Sequence, residues 1–378
     1  MLIDTTKSTE LQTRMLTDNP YINTMCLGCG KCPDRDICGG LSIEAQIMDC
    51  LHHCCGVPEA CTRVCPGNTI LFPQQLREIG GFDLHATPRA PARPIVLKGD
   101  VVELVYHGSR RVQTLQADVV TLRLADLVDF RRKRAKHVSA EVLREAFRLS
   151  PDCKVILTGV DHDSKIEPWW SLGPARPPII RDLVANGVQM VTTPNFSLVL
   201  DHPRWDDLHA MKRIALVFSE FQENGLACAL HPNGRTFQDF EHWRTFVAER
   251  PEVQVLAYEF ITGADRSARR QFHLDRLAEL AAAACRPLDI IVRGNPQVIP
   301  FLRRHFREVL YIDTTAFMKT QKRQMAERVA NNALEWVSSK TSPGAPLDLL
   351  LRTNLEEQAA YLRAVYYGQP LPAAAKAA

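Results

Sequence analysis

The chain has 378 residues, of which 46% are hydrophobic and 24% charged; this is a globular make-up and excludes a largely disordered chain or a collagen-like fibre. The net charge of +3 neither demands nor excludes a polyanionic partner. No run of about 18 apolar residues occurs, so no membrane-spanning helix is expected. The opening MLIDTTKSTELQTRML lacks a basic start followed by an apolar stretch, so no secretory signal is expected and a cytoplasmic protein is.

Residues 1–86 read as a cysteine-rich metal-binding module. Nine of the twelve cysteines lie between Cys26 and Cys65. A reducing compartment disfavours disulfides, so such a cluster points to metal. The first group is Cys26-Leu-Gly-Cys29-Gly-Lys-Cys32, then Cys38; Cys50, Cys54, Cys55, Cys61 and Cys65-Pro66 follow. Thiolates at this spacing wrap three corners of a cuboidal cluster, and a distant Cys-Pro supplies a further ligand. CLGCGKC and CTRVCPGNTI resemble the two halves of a bacterial ferredoxin motif, although Cys32 is followed by Cys38 rather than by Cys-Pro. On that resemblance one [4Fe–4S] cluster takes Cys26, Cys29, Cys32 and Cys65. A second would use Cys38, Cys54 or Cys55, and Cys61. Paired CxxC thiolates also build structural zinc sites, which His52 and His53 could join, so iron–sulfur and zinc both stand. The segment has few large apolar residues, so the metal is expected to supply its folding energy. Cys153, Cys228 and Cys285 sit in apolar surroundings and are expected in the core.

The stretch TPRAPARPI marks a linker over 87–100. From 101 to 340, short Val/Ile/Leu runs alternate with helix-like stretches. The runs are VVELVYHG (101–108), VVTLRLA (119–125), KVILTGV (154–160), VQMVTT (188–193), LACAL (226–230), VQVLAYEF (253–260), LDIIVRG (288–294) and EVLYID (308–313). Nearly continuous apolar runs suit strands buried on both faces. Helices are expected over 140–149, 206–225, 237–250, 273–285 and 298–306. Seven such units, with 101–107 as a candidate eighth strand, predict an α/β fold, a (β/α)8 TIM-like barrel. A doubly wound open sheet is the alternative, but no Gly-x-Gly-x-x-Gly follows the first strand. Residues 341–378 read as a C-terminal helix and a loose tail.

Catalytic residues of a barrel stand at the C-terminal ends of its strands. Asp161, His162 and Asp163 follow the third run, Asn195 the fourth, and His231, Asn233 and Arg235 the fifth. Glu259 closes the sixth run, Arg293 and Asn295 the seventh, and Asp313 the eighth. Single polar residues there cap helices as readily as they catalyse. The full set points to a site, with Asp313, Asp161, Asp163, His231 and Glu259 as catalytic candidates. Asn195, Asn233, Arg235, Arg293, Asn295 and Lys319 are the candidates for substrate binding. Paired carboxyls suit a nucleophile and a general acid/base. Asp161, His162, Asp163, His231 and Glu259 could instead hold a hard metal ion. Arg131-Arg132-Lys133-Arg134-Ala135-Lys136 and the later cations Arg266, Arg269, Arg270, Arg303, Arg304, Arg307, Lys319, Lys322 and Arg323 suit phosphates of DNA or RNA, or a solvated surface. Trp169-Trp170 could stack on a base or pack under a loop.

Two family resemblances follow from these residues. TTPNFSLVLDHP and GLACALHPNGR, within 190–295, resemble an uncharacterised bacterial and phage family with a PDFS/PNFS strand motif, which implies a barrel-like fold. RGNPQVIPFLRRHFREVLYIDTTAFMKTQKR (293–323) resembles the tRNA-guanine transglycosylase superfamily, including its DNA-acting relatives that insert 7-deazaguanines. That resemblance implies Asp313 as the nucleophile on the sugar C1′, Lys319 and Arg323 near the family's basic residues, and Asp161 or Asp163 as the second aspartate. The family's Asp-Ser-Gly-Gly and its C-terminal zinc motif are missing. His231 and Asn233 stand where the family has its base-reading strand. The resulting expectation is a base-modifying enzyme acting on DNA or RNA. The alternatives are an iron–sulfur redox or radical enzyme on a small molecule, and a non-enzymatic DNA-binding component of a mobile-element or phage-defence system that works with a partner protein.

Overall fold

Alternate residues of the apolar runs face opposite ways, and both faces are dry. Val102, Ile156, Met190, Ala229, Ala257, Ile291 and Ile312 belong to one buried cluster. Their chain neighbours Val155, Leu157, Val191, Cys228, Leu256, Ile290 and Tyr311 belong to a second, which also takes in Trp169, Phe218 and Trp243 from helices. Burial on both faces is what keeps a parallel strand continuously apolar.

The computed structural model describes residues 78–93, 99–198, 204–261, 263–329 and 333–371. It is a mixed α/β fold. The strands are β1 (Val101–Glu103), β2 (Val119–Arg123), β3 (Lys154–Thr158), β4 (Val188–Thr192), β5 (Ala227–Ala229), β6 (Val255–Phe260), β7 (Asp289–Gly294) and β8 (Val309–Asp313). They form two four-stranded parallel sheets, in the orders β2-β3-β4-β5 and β1-β8-β7-β6. Isolated parallel bridges link Leu104 to Thr121 and Leu230 to Leu256, one at each side of the sheet pair.

The helices are α1 (Ala140–Phe147), α2 (Asp163–Ser171), α3 (Arg176–Ala185), α4 (Arg204–Glu223), α5 (Phe237–Glu249), α6 (Ser267–Ala283), α7 (Ile299–Leu302), α8 (Thr315–Gln321) and α9 (Asp348–Tyr366). Their starts are encoded locally. The Ser139 hydroxyl accepts from Val142 N–H to cap α1, and Thr236 with Asp239 forms a reciprocal capping box on α5. Helix α9 is tied back to the strands: Arg363 pairs with Asp100 at 2.7 Å, and the Tyr367 hydroxyl donates to the carbonyls of Asp100 and Val309. Among the described residues no helix is long and apolar enough to cross a membrane.

Three features depart from the expectations. Helices α2 and α3 lie within 163–185, a stretch that is not among the expected helices. Pro177 sits at the start of α3, where its missing N–H costs nothing. Pro168 lies inside α2, beside the fully buried Trp169. An antiparallel hairpin, β9 (Gln324–Arg328) with β10 (Leu334–Ser338), follows α8. Cys153 and Cys228 are buried as expected, but Cys285 is exposed. It follows the end of α6 at φ +52°, where the chain turns away from the helix.

Residues 78–93 run along α4 and the end of α5. Glu78 accepts hydrogen bonds from His209 Nε2 at 2.7 Å and from Trp170 Nε1 at 3.1 Å. Lys212 Nζ donates to the Asp83 carbonyl at 2.5 Å and to Thr87 Oγ1 at 3.2 Å. Arg250 reaches the carbonyls of His85, Thr87 and Pro88. The metal candidates Cys26, Cys29, Cys32, Cys38, Cys54, Cys55, Cys61 and Cys65 lie outside the described residues.

Candidate active site at the strand ends

Strand periodicity decides which polar groups face the same way as the inner apolar cluster. Continuing that face past Val102 and Leu104 reaches Tyr106. The same count reaches Arg123 on β2, His231 after β5, Glu259 on β6 and Arg293 on β7. These groups meet at the C-terminal ends of the strands.

Arg123 organises one side. Its guanidinium makes two bonds to Asp126, at 2.7 and 2.8 Å, and lies 5.0 Å from the centre of the Tyr106 ring. It also stands 3.5 Å from Asp161 Oδ2. That oxygen is buried and has no hydrogen bond, while Asp161 Oδ1 accepts from His162 N–H at 2.8 Å. Gly159 makes the placement possible. A side chain at Gly159 would collide with the backbone of Thr192–Pro194, so only glycine lets the chain after β3 pass there.

Glu259 faces this group from β6. Burial pushes its carboxyl above the ordinary range; the Arg293 guanidinium opposes that shift, and the Asp161 charge adds to it. Asn195 Nδ2 donates to Glu259 Oε2 at 3.3 Å, and Arg293 Nη1 donates to the Val160 carbonyl at 3.0 Å. Beside Glu259, Asn195, His231, Asn233 and Arg235 border a small polar cavity of about 80 Å3. Asp161, Glu259, Asn195, His231, Asn233, Arg235 and Arg293 are therefore brought to one end of the strands. Among the described residues no three His, Cys, Asp or Glu side chains converge as metal ligands, so the hard-metal reading of Asp161, His162, Asp163, His231 and Glu259 has no geometric basis.

The other candidates have different work. Asp163 begins α2 and accepts from Ser197 Oγ at 2.7 Å. Asn295 accepts from Gln297 N–H and donates to Asp265 Oδ1, both at 2.9 Å, holding a turn. Lys319 Nζ lies 5.6 Å from the centre of the Trp336 ring on β10. Asp313 is 1% exposed and follows the face of Tyr311, away from the inner cluster. Its Oδ2 accepts from the N–H groups of Thr315 and Ala316, at 3.1 and 3.0 Å, and its Oδ1 from Gln358 Nε2 at 3.2 Å. It is paired in register with Glu103, which accepts from Phe317 N–H at 2.7 Å. Burial and the Asp313 charge push the Glu103 carboxyl well up. A larger cavity of about 860 Å3 borders this pair, with Val101, Lys154, Leu310 and Arg363 on its wall. Its two carboxyls already hold the first N–H groups of α8, so the strand-end group is the stronger chemical candidate.

Tyr106, Arg123 and Glu103 were not singled out from the sequence, because each sits inside an apolar run. Counting by twos along VVELVY and VVTLR would have separated the inward Tyr106 and Arg123 from the outward Glu103.

The basic run forms the exposed turn between the short paired segments Val128–Asp129 and Arg134–Ala135. Several later cations are used locally. Arg307 pairs with Asp289 at 2.7 Å, Arg270 with Asp265 at 2.8 Å, and Arg303 donates to the Tyr367 carbonyl. The tryptophans pack. Trp169 stacks on Phe221 with centroids 5.2 Å apart, and Trp170 lies under Arg176 at 4.6 Å. No protein-family model matches the chain, and no curated protein matches it.

Proposed function

We propose that the eight strands close into a TIM-like barrel whose C-terminal mouth is the active site of a transglycosylase-like enzyme acting on a nucleobase of DNA or RNA. The two bridges that join the sheets on both sides support closure. The observation that carries the chemistry is the contrast between two carboxyls at one mouth. Asp161 Oδ2 is buried, accepts no hydrogen bond and is ion-paired with Arg123 at 3.5 Å. Glu259 is biased by burial toward its protonated form. Carboxyls whose environments differ in this way divide into nucleophile and acid.

Asp161 Oδ2 attacks the sugar C1′ as the C1′–N bond to the base breaks, and Glu259 gives its proton to the departing nitrogen. The incoming base then loses its N–H proton to Glu259. Its nitrogen attacks C1′, and the bond to Asp161 breaks. Arg123 holds Asp161 in line, and Arg293 holds the Val160–Asp161 turn against β7. This reading moves the nucleophile from Asp313, which the family resemblance implies, to Asp161, whose Oδ2 accepts no hydrogen bond and is paired only with Arg123.

In the N-terminal module Cys26, Cys29, Cys32 and Cys65 would hold one [4Fe–4S] cluster, and Cys38, Cys54 or Cys55, and Cys61 a second; an all-thiolate donor set also suits zinc. The metal would supply folding energy to that segment. Glu78, within the segment 1–86 that carries the cysteines, bonds to Trp170 and His209.

The test is release or exchange of a labelled base from DNA and RNA oligonucleotides. Glu259→Gln is expected to slow the reaction about 100-fold or more, the usual worth of a placed general acid. The wild-type rate should fall as pH rises through the raised Glu259 value. Activity of Glu259→Gln equal to wild type would remove the mouth from the chemistry.

A further inference from the structure

His231 is 3% exposed, yet neither ring nitrogen has a hydrogen-bond partner on another residue. Leaving a buried polar atom unpaired costs about 1–3 kcal/mol, so such an atom calls for an explanation. The ring is not free to seek a partner elsewhere. It stacks on Tyr258 with centroids 5.1 Å apart and planes 13° from parallel, and the Tyr258 hydroxyl is bonded to His273 Nδ1 at 2.8 Å.

His231 faces the small polar cavity, together with Asn195, Asn233, Arg235 and Glu259. Asn195 Oδ1 is also buried without a partner. The Arg235 guanidinium makes no hydrogen bond or ion pair among the described residues and passes beside Gly263, where a methyl group would meet its Nη1 at 3.1 Å. Two unpaired acceptors and several unpaired donors therefore border one space.

Volume limits what enters. A benzene ring needs a cavity of about 150 Å3, so the roughly 80 Å3 here takes a group of a few heavy atoms rather than a ring. Burial holds the His231 imidazole neutral, its value pulled down to about 4, so it offers one donor and one acceptor. A carboxylate would satisfy the donors alone. A phosphate monoester that keeps one proton satisfies both kinds: its oxygens accept from Arg235 and the imidazole N–H, and its O–H donates to the other imidazole nitrogen or to Asn195 Oδ1.

We infer that this cavity is a subsite for a phosphate monoester group of the substrate, gripped by Arg235, His231 and Asn195. The inference rests on the proposed function for the rest of that substrate, which becomes a nucleotide or a nucleic-acid end carrying a terminal phosphate.

The experiment is calorimetric titration of the full chain with inorganic phosphate, and separately with acetate. Wild type is expected to bind phosphate at one saturable site, at least tenfold tighter than acetate. Arg235→Gln and His231→Gln should each weaken phosphate at least tenfold, while Arg131→Gln in the exposed basic turn binds like wild type. If Arg235→Gln fails to fold, Arg235→Lys replaces it and should still weaken phosphate, because the two-pronged guanidinium contact is lost. The His231 ring-nitrogen NMR signals should move on phosphate addition in the unaltered protein. No saturable phosphate binding, acetate binding as tightly, or variants that bind like wild type would each overturn the inference. Phosphate binding that passes these tests in a protein that releases no base would sink the enzyme reading and leave the subsite standing.

Discussion

Glu103 and Asp313 stand side by side on β1 and β8, and together they hold the first N–H groups of α8. Glu103 has its carboxyl pushed well up by burial and by its neighbour's charge. An acid whose folded value is raised contributes stability that is complete below its unfolded value and is lost as pH rises through the folded one. Glu103→Gln keeps an oxygen for Phe317 N–H and cannot ionise. It should match wild type in thermal unfolding at about pH 5 and be the more stable protein at about pH 8. A variant less stable at both values would show that the charged pair is not the liability described. At this scale the sequence was legible in part. Asp161 and His231 follow apolar runs, Glu259 and Arg293 stand at the C-terminal ends of theirs, and all four were singled out for that reason. Asp313 ends one too, but strand parity turns it outward, and position in a run does not reveal parity unless the inner face is known.

The strands were readable because burial on both faces leaves continuous Val, Ile and Leu. The hairpin β9–β10 was not, because QMAER and LEWVS are only partly buried and mix polar with apolar residues. Asn354 of α9 stitches that hairpin in place through Ala326 N–H, the Gln324 carbonyl and Thr320 Oγ1, a long-range contact that no local pattern announces. Residues 87–93 read as a linker from their prolines, yet they are held by buried donors from α4 and the end of α5. Arg250 is the main clamp, with bonds to three carbonyls of 85–88 and a 3.3 Å pair with Glu252. Arg250→Met should destabilise the fold by about 2–3 kcal/mol in urea, since buried carbonyls and a carboxylate lose their donor. Limited proteolysis should then cut within 78–93 first. Unchanged stability with an intact segment would contradict that role.

At the scale of the molecule, two parallel sheets meet at two bridges, and the polar groups that follow the inner face collect at one end. The proposed barrel gives that end its mouth, and Glu78 bonds to both α2 and α4 through Trp170 and His209. Protein purified without oxygen should absorb broadly near 400 nm and carry about four or eight irons with matching sulfide; Cys26→Ser with Cys65→Ser should lose most of it. A colourless chain with one or two zincs would assign the module to zinc instead. The most direct test of the central claim is to trap the reaction on an oligonucleotide and map any covalent protein–sugar adduct by peptide mass spectrometry. The account predicts an adduct on Asp161 that disappears in Asp161→Asn and persists in a folded Asp313→Asn. An adduct on Asp313, or full base release by Asp161→Asn, would contradict it.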